Sequence, residues 1–86
     1  MIHFFKRYES GKGYIVMAMD NDNVPSVAPV RCFGYRQTDA IEFCDDCNSG
    51  RIDESRIRLL VRTYSDVPYK YLGKGNLRKQ RMEEYE

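Results

Sequence analysis

Aromatic residues supply much of the apolar surface that this chain can bury, because leucine is scarce. The sequence holds seven tyrosines and four phenylalanines, and its leucines are Leu59, Leu60, Leu72 and Leu77. Aromatic and β-branched side chains fit a pleated, half-buried surface better than they fit a helix. We therefore expect a fold dominated by β-sheet, and 86 residues leave room for one domain.

Three strands are expected in the first half of the chain. Residues 2–8 and 14–19 are predicted to be strands, and the Gly-rich segment between them has the length of a hairpin connection. Pro25 and Pro29 keep residues 24–30 extended and out of a helix. Residues 31–35 are the predicted third strand.

One helix is expected to follow. Asp39 is the predicted N-cap, and Glu42, three residues later, would complete a capping box. Helical spacing then places four apolar side chains on one face: Ala40, Phe43, Cys44 and Cys47. Gly50 is suited to the left-handed position that ends a helix.

Residues 56–64 fit two patterns. Helical spacing connects Ile57, Leu60, Val61 and Tyr64, whereas strand alternation connects Ile57, Leu59, Val61 and Thr63. We favour the strand, because Val61, Thr63 and Tyr64 cluster at its end and Pro68 follows. The predicted fold is therefore α+β, a small antiparallel sheet in the order β-β-β-α-β with one helix packed on it.

The end of the chain is predicted to be separate from this domain. We assign residues 1–75 to a single α+β domain and residues 76–86 to a charged C-terminal tail or a short helix. The charge order of this segment opposes the helix dipole, since its cations precede Glu83, Glu84 and Glu86. A helix this short is marginal in water.

The net charge of +1 conceals a division along the sequence. Residues 37–50 carry four carboxylates and no base, whereas residues 51–82 carry nine bases against Asp53, Glu54 and Asp66. The second of these segments is a basic block.

The basic block motivates the leading functional hypothesis, which is binding of RNA or single-stranded nucleic acid. A strand over residues 56–64 would place Arg56, Arg58, Arg62 and Tyr64 on one face of the sheet. Arginine matches phosphate geometry, and tyrosine offers a platform on which a base can stack. Further contacts are expected from Lys70, Tyr71, Lys74, Arg78, Lys79 and Arg81. A solvated strand face whose arginines pair with nearby carboxylates is the competing interpretation.

Two Gly-Lys-Gly tripeptides could bring backbone close to an anion, and they contain Lys12 and Lys74. Neither has the spacing of a P-loop. The first is more simply a hairpin turn, which leaves Lys12 as an additional candidate phosphate contact.

The cysteines are predicted to be core residues. Cys44 and Cys47 lie near a helix C-terminus with two aspartates between them, which disfavours a reactive thiolate. A zinc site made of His3, Cys32, Cys44 and Cys47 would be a legitimate ligand set. Half of the usual paired spacing is missing, however, and buried cysteine behaves as a small hydrophobe.

The sequence lacks the residues of a common catalytic site, so we expect a binding protein without enzymatic activity and without a cofactor. His3 is the single histidine, and no second histidine could activate a serine. The carboxylates show no motif that would gather them around a metal ion.

A cytoplasmic location is expected. The apolar stretch near the N-terminus is too short for a signal peptide, no run approaches the length of a membrane span, and three cysteines argue against a disulfide framework. The second functional hypothesis is a protein-interaction module, such as a virus-encoded inhibitor of a nuclease, toxin or defence factor. Its acidic helix (Asp39, Glu42, Asp45 and Asp46) would meet a basic partner. An unpaired sheet edge would also allow a homodimer.

Overall fold

The computed structural model describes residues 2–20 and 26–79, which form five strands and two helices. In chain order these are β1 (Ile2–Glu9), β2 (Gly13–Asp20), β3 (Ser26–Cys32), α1 (Gln37–Asn48), α2 (Glu54–Arg62), β4 (Tyr69–Gly73) and β5 (Asn76–Lys79). The first three strands form one sheet, and β4 and β5 form a second. The predicted α+β class is confirmed.

The three-stranded sheet is antiparallel, in the order β1-β2-β3. Its third strand begins at Ser26, so the prediction of a strand over residues 31–35 was wrong in its position. Pro29 pairs with Met17 beside an irregularity in the β2–β3 register. The strand tolerates this proline because β3 lies at the edge of its sheet, where a missing N–H costs no ladder bond.

The main core lies between one face of this sheet, the two helices and the hairpin of β4 and β5. Phe33 and Phe43 are fully buried there, with ring centroids 5.2 Å apart. A smaller cluster of Ile15, Met17 and Cys32 lies apart from the main core, with Phe5 and Tyr64 packed against it. Along β1 and β2 the residues of this cluster alternate with those of the main core, so the sheet carries apolar side chains on both faces.

Helix α1 ends as predicted but begins differently. Gly50, at φ +80°, takes the left-handed position, and the N–H groups of Gly50 and Arg51 donate to the carbonyl oxygens of Cys47 and Asp46. The capping box predicted at Asp39 was wrong. The helix begins at Gln37, and its N-cap position makes no side-chain hydrogen bond. Asp39 instead lies in the first turn, where its negative charge suits the helix dipole.

Residues 54–62 form a helix, so the strand predicted over residues 56–64 was wrong. Ile57 and Leu60 are buried three positions apart, whereas Leu59, which a strand would have buried with them, is 50% exposed. The charge order also favours the helix, because Glu54 lies in its first turn and Arg62 in its last. The element order after α1 is consequently α-β-β instead of a single strand.

A buried arginine fixes the C-terminal end of α2 against the sheet. Arg31 of β3 is 5% exposed, and it donates to the carbonyl oxygens of Leu60 (2.9 Å) and Val30 (3.1 Å) and to Thr63 Oγ1 (3.2 Å). A cation is favourable at a helix C-terminus, where carbonyl groups lack partners within the helix. Its guanidinium carbon also lies 4.7 Å from the centre of the Tyr69 ring.

The segment predicted to be a tail or short helix contains strand β5, so the helix was wrong for Asn76–Lys79. Leu77 of this strand packs against the main core. The rest of that prediction, residues 80–86, lies outside the described residues. Within residues 2–20 and 26–79, neither helix is long and apolar enough to cross a membrane.

Replacing Gly13 by alanine tests a close backbone contact that joins β2 to the turn before α1. Tyr14 N–H donates to Gly34 O at 2.6 Å, and a Cβ on Gly13 would lie 2.0 Å from the same oxygen. We expect Gly13→Ala to lower the free energy of unfolding by about 3 kcal/mol or more, because the backbone must move. Urea denaturation measures this loss.

Gly11→Ala is the matched control for this substitution. Gly11 has a similar φ of +85°, but nothing lies within 4 Å of the added Cβ. It should cost about 1–2 kcal/mol, the ordinary penalty of a left-handed residue. Equal losses in the two variants would contradict the proposed backbone contact.

Candidate nucleic-acid interface

Strands β4 and β5 form a hairpin, here called the basic hairpin, over residues 69–79. This segment contains no carboxylate, and its cations are Lys70, Lys74, Arg78 and Lys79. In the described part of the chain, carboxylates form ion pairs with Lys12, Arg51 and Arg58 and with none of the three lysines of the hairpin. The three lysines of the hairpin therefore carry positive charge that no carboxylate of the described residues pairs with.

The two faces of the basic hairpin have different roles. Tyr71 pairs with Leu77, and their side chains face the main core. On the opposite, outer face Lys70 lies directly across from Arg78, with Leu72 exposed beside them. Like charges directly opposite each other on a sheet are destabilising. The outer face is therefore arranged at some cost to the stability of the hairpin.

The backbone conformation of the hairpin turn is also unfavourable for one of its residues, Lys74. Lys74 and Gly75 connect the strands with φ values of 55° and 79°. Two central residues with positive φ are the mark of a type I′ turn, in which glycine or asparagine is favoured at both positions. Lys74 is the only residue other than glycine that has a positive φ in the described part of the chain. A lysine at this position places a charge at the tip of the hairpin at an energetic cost.

Tyr71 attaches the hairpin to α1. Its backbone N–H donates to Asp39 Oδ2 at 3.0 Å, and its hydroxyl donates to Asp46 Oδ2. The same hydroxyl oxygen accepts the N–H of Gly75 at 2.9 Å. One side chain therefore holds both a strand of the hairpin and its turn.

The environment of Tyr71 keeps its hydroxyl protonated. Burial, followed by the hydrogen bond to Asp46, raises the pKa of Tyr71 to about 12. Asp46 also pairs with Arg51 at 3.1 Å. The ring lies edge-on to Phe43, with centroids 5.3 Å apart.

Helix α2 distributes its arginines over two sides, so they do not form the single cationic face predicted for a strand. Arg56 points to the hairpin and donates to Gly75 O at 2.9 Å. Arg58 and Arg62 lie on another side, along a groove that also contacts Ile2 and Ala18. Arg58 is paired with Glu54 at 2.8 Å. Of the three, Arg56 is the one in contact with the basic hairpin.

Of the predicted nucleic-acid contacts, one tyrosine is buried, another is half-buried, and one lysine forms an ion pair with a carboxylate. Tyr71, predicted as a nucleic-acid contact, is 5% exposed and lies in the main core. Tyr64 is half-buried against the smaller cluster, and its hydroxyl donates to Asp66 at 3.1 Å. Burial raises the pKa of Tyr64. Lys12 forms an ion pair with Asp66 at 3.3 Å. Arg81 lies outside the described residues.

The four residues considered as a zinc site, His3, Cys32, Cys44 and Cys47, do not lie together. Cys44 and Cys47 are buried in the main core, whereas Cys32 belongs to the smaller cluster and His3 is exposed on β1. Among residues 2–20 and 26–79, no group of three or more His, Cys, Asp or Glu could hold a metal ion. Burial raises the pKa of all three thiols, and that of Cys47 reaches about 12.

Arg31 is the important residue that the sequence analysis missed. Its side chain connects β3, α2 and Tyr69, the first residue of the hairpin. A signal was present, because Arg31 interrupts the apolar segment from Val30 to Phe33. A charged residue in such a segment is usually buried with partners.

Removing the Tyr71 hydroxyl tests the attachment of the hairpin. We expect Tyr71→Phe to lower the free energy of unfolding by about 1–3 kcal/mol, because Gly75 N–H loses its acceptor and Asp46 loses a donor while the ring is kept. Tyr35→Phe, at a 62% exposed position, should change it by less than about 0.5 kcal/mol. Equal effects at the two positions would contradict the attachment.

The difference in stability between wild type and Tyr71→Phe is expected to depend on pH. The pKa of Tyr71 is raised from 10.0 to about 12 by folding, so its contribution to stability is complete below pH 10 and is lost as the pH rises through 12. The difference in unfolding free energy between wild type and Tyr71→Phe should therefore be constant below pH 10 and should narrow above it. A difference that widens with pH would contradict the assignment.

Comparisons with protein-family models, with curated proteins and with solved structures found no match. The functional conclusion therefore depends on the geometry and charge of these residues.

Proposed function

We propose that this chain binds nucleic acid, specifically RNA or another single strand, through phosphate contacts made by the basic hairpin. The supporting observation is the hairpin itself, which carries four cations and no carboxylate. Binding is proposed to occur in the cytoplasm and without catalysis. The three free, buried cysteines suit a reducing compartment.

Phosphate is the ligand that this arrangement of charge suits best. Lys70 and Arg78 face outward side by side, Lys74 lies at the tip, and Lys79 ends the second strand. Lysine and arginine that neutralise phosphates release condensed counterions, which supplies most of the sequence-independent affinity. Arg56 lies next to the turn and extends the positive surface onto α2.

The attachment of the hairpin favours a single strand over a duplex. A free two-stranded ribbon could enter the major groove of DNA. Here the inner face is occupied by the core through Tyr71 and Leu77, which leaves the outer face and the tip to follow a phosphate backbone. Tyr71 is buried and Tyr64 is half-buried against the smaller cluster, so neither offers the expected stacking platform, and we propose binding with little base preference.

The second hypothesis, an inhibitor that presents its acidic helix to a basic partner, is less well supported. Of the four carboxylates of α1, Asp39 accepts the Tyr71 N–H, and Asp46 is bonded to both the Tyr71 hydroxyl and Arg51. These two carboxylates are committed within the chain. Glu42 and Asp45 alone are a small surface for recognition of a partner.

The salt dependence of binding tests the proposal. We expect a labelled oligouridylate to bind at low salt, with a double-logarithmic slope of affinity against salt of about 0.7 per phosphate contact. Lys70→Gln/Lys74→Asn should lower that slope by about 1.4, because it removes two contacts. Fluorescence anisotropy at several salt concentrations measures both slopes.

The control for this double variant removes the same amount of charge elsewhere. Lys6→Gln/Arg7→Gln neutralises two exposed cations of β1, in the other sheet, and gives the same net charge. Its slope should match that of wild type. Absence of binding at low salt, or equal losses in the two double variants, would rule out the hairpin as the interface.

Stability and binding should change in opposite directions in the hairpin variants. Lys70→Gln removes the like-charge pair with Arg78, and Lys74→Asn replaces lysine by a residue that tolerates positive φ. Each should raise the free energy of unfolding by about 0.5 kcal/mol while weakening the binding of RNA. Urea denaturation beside the anisotropy titration measures the two effects. A loss of both stability and affinity would indicate that the lysines serve the fold.

A further inference from the structure

Strand β1 forms one edge of the three-stranded sheet. At Phe4, the side chain of Asn48 occupies the backbone hydrogen-bonding groups of this edge. The N–H of Phe4 donates to Asn48 Oδ1 at 2.9 Å, and Asn48 Nδ2 donates to Phe4 O at 2.9 Å. The backbone groups of Phe4 therefore point away from β2. Because orientation alternates along a strand, those of Lys6 and Tyr8 point the same way. No described residue meets them there.

We propose that a second copy of this chain pairs with this edge beyond Phe4, where the backbone groups of Lys6 and Tyr8 point outward. The two β1 strands would run antiparallel about a two-fold axis, with Tyr8 directly opposite Tyr8 of the second copy. Each Tyr8 would then exchange N–H···O=C bonds with the other. This proposal is independent of the proposed binding of nucleic acid.

Charge complementarity selects this register. With Tyr8 opposite Tyr8, Arg7 lies opposite Glu9 of the second copy and Glu9 lies opposite Arg7, so the pairing creates two ion pairs. Arg7 is exposed and Glu9 is half-buried, and neither forms an ion pair in the described part of the chain. Lys6 falls opposite Ser10, so no like charges meet.

The neighbouring registers are unfavourable. Only residues whose backbone groups both point outward can exchange bonds, so the register moves in steps of two residues. A register with Lys6 opposite Tyr8 of the second copy would bring the two Arg7 side chains together. A register with Tyr8 opposite Ser10 of the second copy would bring the two Glu9 side chains together. Lys6 opposite Lys6 would require the backbone of Phe4, which Asn48 already occupies.

The pairing is short, so the dimer should be weak. Because β1 ends at Glu9, the pairing joins the strand residues Arg7, Tyr8 and Glu9 on each side, an interface smaller than the roughly 1,200 Å² of stable complexes. We expect a monomer at low concentration and a growing dimer fraction as concentration rises. The Tyr8 ring, 55% exposed and in contact with Tyr14 at a centroid distance of 5.1 Å, would lose solvent contact at the two-fold axis.

A charge-swap series tests the proposal by sedimentation equilibrium. Arg7→Glu places Glu opposite Glu9, and Glu9→Arg places Arg opposite Arg7, so each single variant should lower the association constant by about tenfold or more. The double variant Arg7→Glu/Glu9→Arg re-creates both ion pairs and should restore association. A monomer at every concentration, or a double variant no better than the singles, overturns the proposal.

A disulfide test reads the register directly, because oxidation traps even a weak dimer covalently. Opposed residues of an H-bonded antiparallel pair have Cα atoms about 5.5 Å apart, within disulfide range. Tyr8→Cys should therefore form a covalent dimer under mild oxidation. Lys6→Cys should not, because Lys6 lies opposite Ser10. The native thiols are buried, which protects them. Cross-linking at residue 6 but not at residue 8 overturns the register, and cross-linking at neither overturns the pairing.

Discussion

The hydrogen bond from the Tyr71 hydroxyl to Asp46 holds the basic hairpin, on which the proposed function depends, against helix α1. A two-stranded hairpin is marginal in water by itself. Here Tyr71 places its ring against Phe43 and its hydroxyl on α1, and it accepts the N–H of Gly75 from the turn. Arg31 complements it at the other end of the hairpin by stacking on Tyr69. Together the two residues make the hairpin part of the main core.

This attachment allows the hairpin to carry unfavourable local features. The Lys70–Arg78 pair and the left-handed Lys74 both oppose formation of the hairpin. Natural sequences keep such features where function requires them and compensate for them elsewhere. The compensation here comes from Tyr71 and Arg31, whose contacts hold the hairpin with its cations against the core.

The parts of the fold that local patterns determine were predictable from the sequence. Strands β1 and β2 and the Gly50 end of α1 follow from short apolar segments and the turn residues that bound them. Helix α2 was not predictable, because its apolar residues fit both periods and the contact of Arg31 with Leu60 joins positions 29 residues apart. The cations of the hairpin were identified, but the burial of Tyr71 depends on Asp46, 25 residues away.

Mapping amide chemical shifts during titration with a single-stranded RNA tests whether the basic hairpin is the binding surface. The shifts are expected to concentrate on residues 70–79 and on Arg56, and to diminish as salt is added. Shifts confined to the three-stranded sheet, or none at low salt, would contradict binding through the basic hairpin.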